Sequence, residues 1–270
     1  MLLPVISEHE GALRFSVFIG LFMLFLSWEW LRPSRPPNAN NMHRRLTNVA
    51  MMLINTAIMR LLFPAITVAS AAWANGQNIG LFNTFTPTVL LSLIGSLIAL
   101  DLIIYLQHLA LHKIPLLWRF HRVHHLDMDL DTTTGVRFHP VEAIFSLLLK
   151  ILAIVLLGAP VVAVILFEVT LNALSLFNHA NINMHQKLEP LLRFILVTPH
   201  MHRIHHSVEP TEYSHNFGFN LSIWDRLFNT YLGVAQNGEQ KIIYGQKSLQ
   251  NTSATGSLSQ MLKIPFRVLK

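Results

Sequence analysis

At 270 residues, with 52% hydrophobic and only 13% charged, the chain is too apolar for an ordinary soluble domain, and its positive mean hydropathy points to the membrane class. It has no cysteine, which excludes disulfides, iron–sulfur clusters, haem–thiolate ligation and cysteine-ligated zinc. The formal net charge is +6, but no Lys/Arg run of the kind that grips nucleic acid is present; the basic residues flank apolar stretches, as anchors of a cytoplasmic membrane face do.

The first apolar run, Phe15 to Trp30, extended by Leu13 and Leu31, is long enough for a slightly short spanning helix. It has neither a basic leader nor an A-x-A cleavage site and reads as a retained helix, with Trp28 and Trp30 at its interfacial end. Leu46 to Trp73 supplies a second span, interrupted by Arg60 and Pro64. After an uncharged polar stretch, Asn75 to Thr88, comes a third span, Val89 to Leu111. Val141 to Phe177 holds two helices split at Gly158-Ala159-Pro160, a helix stop followed by a helix start. With Lys150 in mid-segment, this hairpin either crosses fully or dips in and returns.

From Gln186 the chain turns mixed and polar. Residues 1–235 read as one membrane-embedded domain with a histidine-rich core over about 95–235, and 236–270 as a Ser/Thr/Asn/Gln-rich polar tail. The expected fold is all-α: an integral membrane bundle of about three spanning helices plus a helical hairpin, under a cytosolic helical cap rich in histidine. Orientation follows from the short loops. Arg32, Arg35, Arg44 and Arg45 follow the first span, an uncharged loop follows the second, and Lys113, Arg119, Arg122 and Arg137 follow the third. This predicts an N-terminus on the far side and every histidine cluster on the cytoplasmic face.

Thirteen of the 15 histidines fall between His108 and His215, and only His9 and His43 lie outside. His121-Arg122-Val123-His124-His125 and His202-Arg203-Ile204-His205-His206 are one five-residue pattern written twice, and His108 and His112 precede the first copy. Asp101, Tyr105, His108 and His112, four, three and four residues apart, share one helix stripe. Adjacent imidazoles on a helix point about 100° apart, so His124 and His125 can address two ions side by side, as can His205 and His206. His179, at the end of the hairpin's second helix, returns to the same face as a ninth ligand. Asp101, His139, His200 and His215 are candidates for further ligands or for groups that orient one; His185 is a weaker candidate. Glu168, inside an apolar helix, is a functional suspect by its position alone.

Eight or nine imidazoles exceed what one four-coordinate zinc uses, and they suit two ions of higher coordination. Imidazole accepts zinc, copper, iron and nickel. Iron is favoured because a dinuclear, cysteine-free site against a membrane suits oxygen activation at an unreactive C–H bond.

At these residues the chain resembles the fatty acid hydroxylase/sterol desaturase superfamily of membrane di-iron enzymes. The resemblance is carried by residues 101–108, by Leu117-Trp118-Arg119-Phe120-His121-Arg122-Val123-His124-His125, and by Arg137-Phe138-His139-Pro140-Val141-Glu142. It continues through His179-Ala180-Asn181, Thr198-Pro199-His200 with the second pentad and Ser207, Asn216-Phe217-Gly218, and Trp224-Asp225-Arg226-Leu227-Phe228. It implies a helical membrane domain with a cytoplasmic histidine cap over two iron ions, using O2 and external electrons to hydroxylate or desaturate a lipid such as a fatty acyl chain or sterol. Two positions depart from the pattern: Asn229 stands where glycine is usual and His200 where arginine is common. No dinucleotide-binding or haem-attachment motif is visible, so the electrons are expected from a separate reductase or cytochrome-type partner. Two rival readings remain: a metal-dependent lipid hydrolase, with Glu142 or Asp127 as its base, and a metal-binding membrane transporter, whose histidines should line a path through the crossing helices rather than gather at one face.

Overall fold

The computed structural model describes residues 10–37, 41–63, 65–249 and 257–267. Among them every element is helical, and pairing between extended segments is limited to isolated bridges. The long helices are α1 (Glu10–Leu31), α2 (Asn41–Leu62), α3 (Ile66–Gly76), α5 (Val89–Lys113), α7 (Pro140–Leu157) and α8 (Val161–His179). A short α4 (Leu81–Phe85) precedes α5, and α6 (Pro115–His125) follows it. After α8 come short helices: α9 (Leu188–Arg193), α10 (Pro199–His205), α11 (Pro210–Tyr213), α12 (Ile223–Leu227) and α13 (Leu258–Lys263).

Five stretches are long and apolar enough to cross a membrane: α1, α5, α7, α8 and the composite Met42–Phe85. The run read from the sequence as a single span over 46–73 is divided between α2 and α3, with Ala65 at φ 51 between them. Pro64, to which the interruption was ascribed, lies outside the described residues, as does His9. The hairpin stop is where the sequence places it. Gly158 ends α7 at φ 62, a left-handed conformation that costs glycine nothing, and Pro160 caps the start of α8. α3, α5, α7 and α8 share a core of Leu100, Ile104, Ile154, Val164 and Phe167, while α1 lays Phe22 and Phe25 against Leu176 of α8.

Inside this bundle Glu168 is neither free nor alone: Arg14 lies 2.6 Å away, Lys150 3.4 Å, and the Thr67 hydroxyl donates at 3.2 Å. A carboxylate buried among apolar helices is tolerated when paired in this way. Its partners account for its presence.

At the other end of the bundle a polar network ties α1 and α2 to the loop after α6. Glu29 accepts from the Thr132 amide (2.6 Å), the Thr132 hydroxyl (2.8 Å) and the Asn181 amide (2.8 Å). Arg44 pairs with Asp127 at 2.7 Å and also with Asp131, and Arg45 reaches Asp131 at 2.7 Å. Arg35 donates to the carbonyls of Ile242 and Glu239, both at 2.8 Å. Three of the four arginines after the first span are therefore spent on internal contacts at the histidine end. Residues 257–267, where the sequence shows no pattern, pack on α2 and α6: Met261 is buried with Met51 and Val123, and Arg122 donates to the Ile264 carbonyl at 2.6 Å.

Candidate metal centre

The ends of α5 and α8, all of α6 and all of α10 meet at this face, and nine imidazoles converge there in two groups. His108, His112, His121, His125 and His205 form one; His124, His179, His202 and His206 form the other. Within each group the potential ligand atoms all lie within 4.8 Å of one another. The neighbours His124/His125 and His205/His206 are each divided between the groups, because consecutive rings on a helix diverge by about 100°. The His125 and His206 ring centroids, one from each group, are 4.4 Å apart, so the groups adjoin.

The hydrogen bonds fix which nitrogen faces inward. His108 Nδ1–H donates to the Phe217 carbonyl (2.8 Å), His205 Nδ1–H to the His215 carbonyl (2.7 Å) and His179 Nδ1–H to the Ser175 carbonyl (2.7 Å). His121 Nδ1–H donates to Glu142 Oε1 at 2.6 Å. A neutral ring that donates from Nδ1 has a bare lone pair on Nε2. Yet His108 Nε2 lies 3.2 Å from His121 Nε2 and 3.1 Å from His205 Nε2. A second proton on His121 would relieve only its own contact; His108 and His205 would still set bare nitrogens face to face. Both ring nitrogens of His112 are buried without a hydrogen-bond partner.

In the second group, His179 Nε2 is 3.0 Å from both His124 Nε2 and His202 Nε2, and His202 Nε2 is 3.2 Å from His206 Nε2. Two imidazoles sharing one ion at metal–nitrogen distances of about 2.1 Å stand roughly 3.0–3.4 Å apart. The spacing and the lone pairs both fit a cation in each group.

Burial among other imidazoles holds His124, His125, His202 and His206 well below the ordinary histidine pKa. Burial takes His205 down to about 3, against the pull of the His215 carbonyl. The neutral ring is the form that ligates.

The four further candidates lie outside both groups. Asp101 accepts from Trp224 Nε1 (2.8 Å) and the Leu221 amide (3.3 Å), so it serves a neighbouring polar segment rather than an imidazole. His139 caps α7, accepting from the Val141 amide at 3.2 Å and donating from Nε2 to the Leu262 carbonyl at 3.3 Å. His200 pairs with Glu239 at 2.5 Å. His215 contributes its carbonyl to His205. The group that sequence reading passed over as an orienting partner is Glu142. The stretch Arg137–Glu142 contained it, but nothing in the sequence joins it to His121 over His124 or His125. Glu142→Gln keeps the shape and loses the charge; affinity for a metal ion at this site should fall roughly 10–100-fold, read as metal retained after dialysis against a chelator.

A model of the fatty acid hydroxylase family matches residues 93–230. The chain belongs to that family. Members and relatives similar to it include an ornithine lipid hydroxylase, OlsE, of Rhizobium tropici, 35% identical over 47% of this chain and 38% of the relative. Alkylglycerol monooxygenase of Homo sapiens is 27% identical over 87% of this chain and 50% of its own length. A very-long-chain aldehyde decarbonylase, GL1-6, of Oryza sativa subsp. indica is 26% identical over 48% and 21%. The chain thus spans half or less of the length of these curated relatives. No solved structure matches it.

The family's usual glycine at position 229 has a local reason. Asn229 sits at φ 57, in the left-handed region that glycine enters freely and asparagine tolerates. Asn229→Gly should leave thermal stability almost unchanged, whereas Asn229→Val should cost about 1–2 kcal/mol, measurable as a lowered melting temperature in detergent.

Proposed function

We propose that this protein is an O2-dependent non-haem di-iron oxidoreductase that hydroxylates, or desaturates, a C–H bond of a membrane lipid such as a fatty acyl chain or sterol. The carrying observation is the pair of bare Nε2 lone pairs on His108 and His205, face to face at 3.1 Å in a buried site, with His121 Nε2 3.2 Å from His108 Nε2. His108, His112, His121, His125 and His205 would hold one ion, and His124, His179, His202 and His206 the other. Bound iron supplies O2 activation and removal of hydrogen from an unreactive carbon.

The chain's own residues prepare that chemistry. The carbonyls of Phe217, Ser175 and His215 and the Glu142 carboxylate lock the tautomers of His108, His179, His205 and His121, so none of these four rings has to turn when iron enters. Burial of eight of the nine rings keeps bulk water away from the nitrogens that would hold the ions. Electrons would come from a separate reductase or cytochrome-type donor. The histidine end would face the cytoplasm, with the N-terminus across the bilayer. Relatives named for an ornithine lipid and an alkylglycerol support a lipid substrate.

The hydrolase reading needs a carboxylate available as base. Glu142 is engaged by His121, and Asp127 by Arg44 at 2.7 Å and Asn48 at 3.0 Å. Purified protein in lipid vesicles should contain iron and oxidise lipid only with O2 and a reductant. Full activity from a zinc-only preparation would overturn the assignment.

A further inference from the structure

We propose that residues 188–196 and 223–228 form an in-plane membrane element, seated among lipids of the leaflet beside the histidine groups rather than standing in water above it.

Seven large apolar side chains in these two short segments are exposed, although none belongs to a candidate spanning helix: Leu188, Leu191, Phe194, Ile195, Ile223, Leu227 and Phe228. The exposed fractions reach 72% at Leu191, 68% at Phe194 and 66% at Leu227. Exposed apolar side chains this dense, in two segments of nine and six residues, are unusual on a water-facing surface. The polar residues of the same segments turn inward. Glu189 is buried, pairs with Arg193 and accepts from the Thr198 hydroxyl at 2.7 Å. Both Glu189 and Arg193 line an open polar pocket of about 440 Å³ between α9 and the start of α10. Arg226 donates to the carbonyls of Arg193 and Ser222, both at 3.0 Å, and covers the Tyr231 ring at 4.1 Å.

Depth decides the occupant. α5 has 25 residues, and Asp101 lies twelve residues from each end, roughly 18 Å along the axis from either. Trp224 donates to Asp101, and Phe228 stacks on Tyr105 at 5.3 Å between centroids. α12 is therefore docked beside the middle of a spanning helix, within the thickness of the bilayer, and its outward side chains meet whatever surrounds α5 there. Backbone at that depth must satisfy itself. Here the Val197 amide donates to Asn220 O (2.9 Å), Ser222 to Ile195 O (2.9 Å), Thr230 to Asp225 O (2.7 Å) and Phe228 to Trp224 O (2.8 Å). The two segments are joined by Arg226, which donates to the Arg193 carbonyl, and by the Leu196–Leu221 bridge just before the second. An outer apolar face continuous with a spanning helix, an inner polar face and closed backbone hydrogen bonds together describe an interfacial element.

The absence of cysteine makes the test direct. Full-length protein in phosphatidylcholine vesicles carries a single cysteine, Leu191→Cys, Phe194→Cys or Leu227→Cys, labelled with an environment-sensitive fluorophore. Leu152→Cys, exposed on α7, serves as the lipid reference and Asn237→Cys, exposed on a polar loop, as the aqueous one. Lipids bearing a nitroxide high on the acyl chain should quench positions 191, 194 and 227 several-fold more than position 237, and aqueous iodide should show the reverse order. Stronger quenching by iodide than by lipid at all three would overturn the proposal. Protection from both quenchers would also overturn it, since the face would then be covered by protein, a second copy included.

Discussion

Replacing His205 with asparagine should strip iron from one position, and replacing the adjacent His206 should strip it from the other. The two side chains are consecutive in α10 and its C-terminal cap, yet His205 lies 3.1 Å from His108 in the first group and His206 3.2 Å from His202 in the second. Each variant should bind about one iron in place of two, and O2-dependent lipid oxidation should fall at least about 100-fold in both, because removal of even an orienting partner costs 10–100-fold. Iron per protein by elemental analysis, with circular dichroism to verify helix content, checks the first part. Loss of activity in only one variant, with unchanged iron in the other, would contradict a paired centre. Asparagine is preferred to alanine because it preserves polarity in a pocket that would otherwise keep unpaired nitrogens.

Arg137→Ala should destabilise the fold more than any ligand substitution. The guanidinium is wholly buried: Nε donates to the Val123 carbonyl (2.9 Å), Nη1 donates to Asn48 Oδ1 (3.0 Å), and Nη1 lies 3.6 Å from Asp127 Oδ1. Val123 sits between His121 and His124, so this arginine pins the backbone of the first pentad to α2 and to the loop behind it. Removing one member of a buried charge network leaves the rest uncompensated and typically costs about 3–5 kcal/mol. The expected result is a large drop in melting temperature and in the membrane-extracted yield, with Arg137→Lys recovering only part of it, since an ammonium lacks the planar fork that reaches two directions at once. A melting temperature unchanged by Arg137→Ala would show that the network is dispensable.

The comparison of sequence with structure divides along physical lines. Spacing in a helix is a local property, so the gathering of His108 with His112, the split between His124 and His125, and the stop at Gly158 could all be read residue by residue. What orients the rings could not. Three of the four Nδ1 acceptors are backbone carbonyls, at Phe217, Ser175 and His215, which every residue type carries. The fourth, Glu142, is 21 residues from His121 and finds it only because α7 runs back past α6. Hydropathy counts apolar residues and is blind to which helix holds them: 46–73 reads as one span interrupted at Arg60 and Pro64, and beside that interruption the chain is divided between two helices, with Ala65 at φ 51. The same blindness hid the exposed apolar faces of α9 and α12, whose segments are too short and too mixed to register as membrane-facing.

The packing of residues 257–267 against α6 carries a consequence for biosynthesis. Val123 and Arg122, within the first pentad, are covered by Met261 and the Ile264 carbonyl, more than 130 residues downstream. Chains emerge from the ribosome N-terminal end first, at roughly 5–20 residues per second. The outer wall of α6 is thus completed only after residues 257–267 have been translated, so the first pentad reaches its final packing more than 130 residues after its own synthesis.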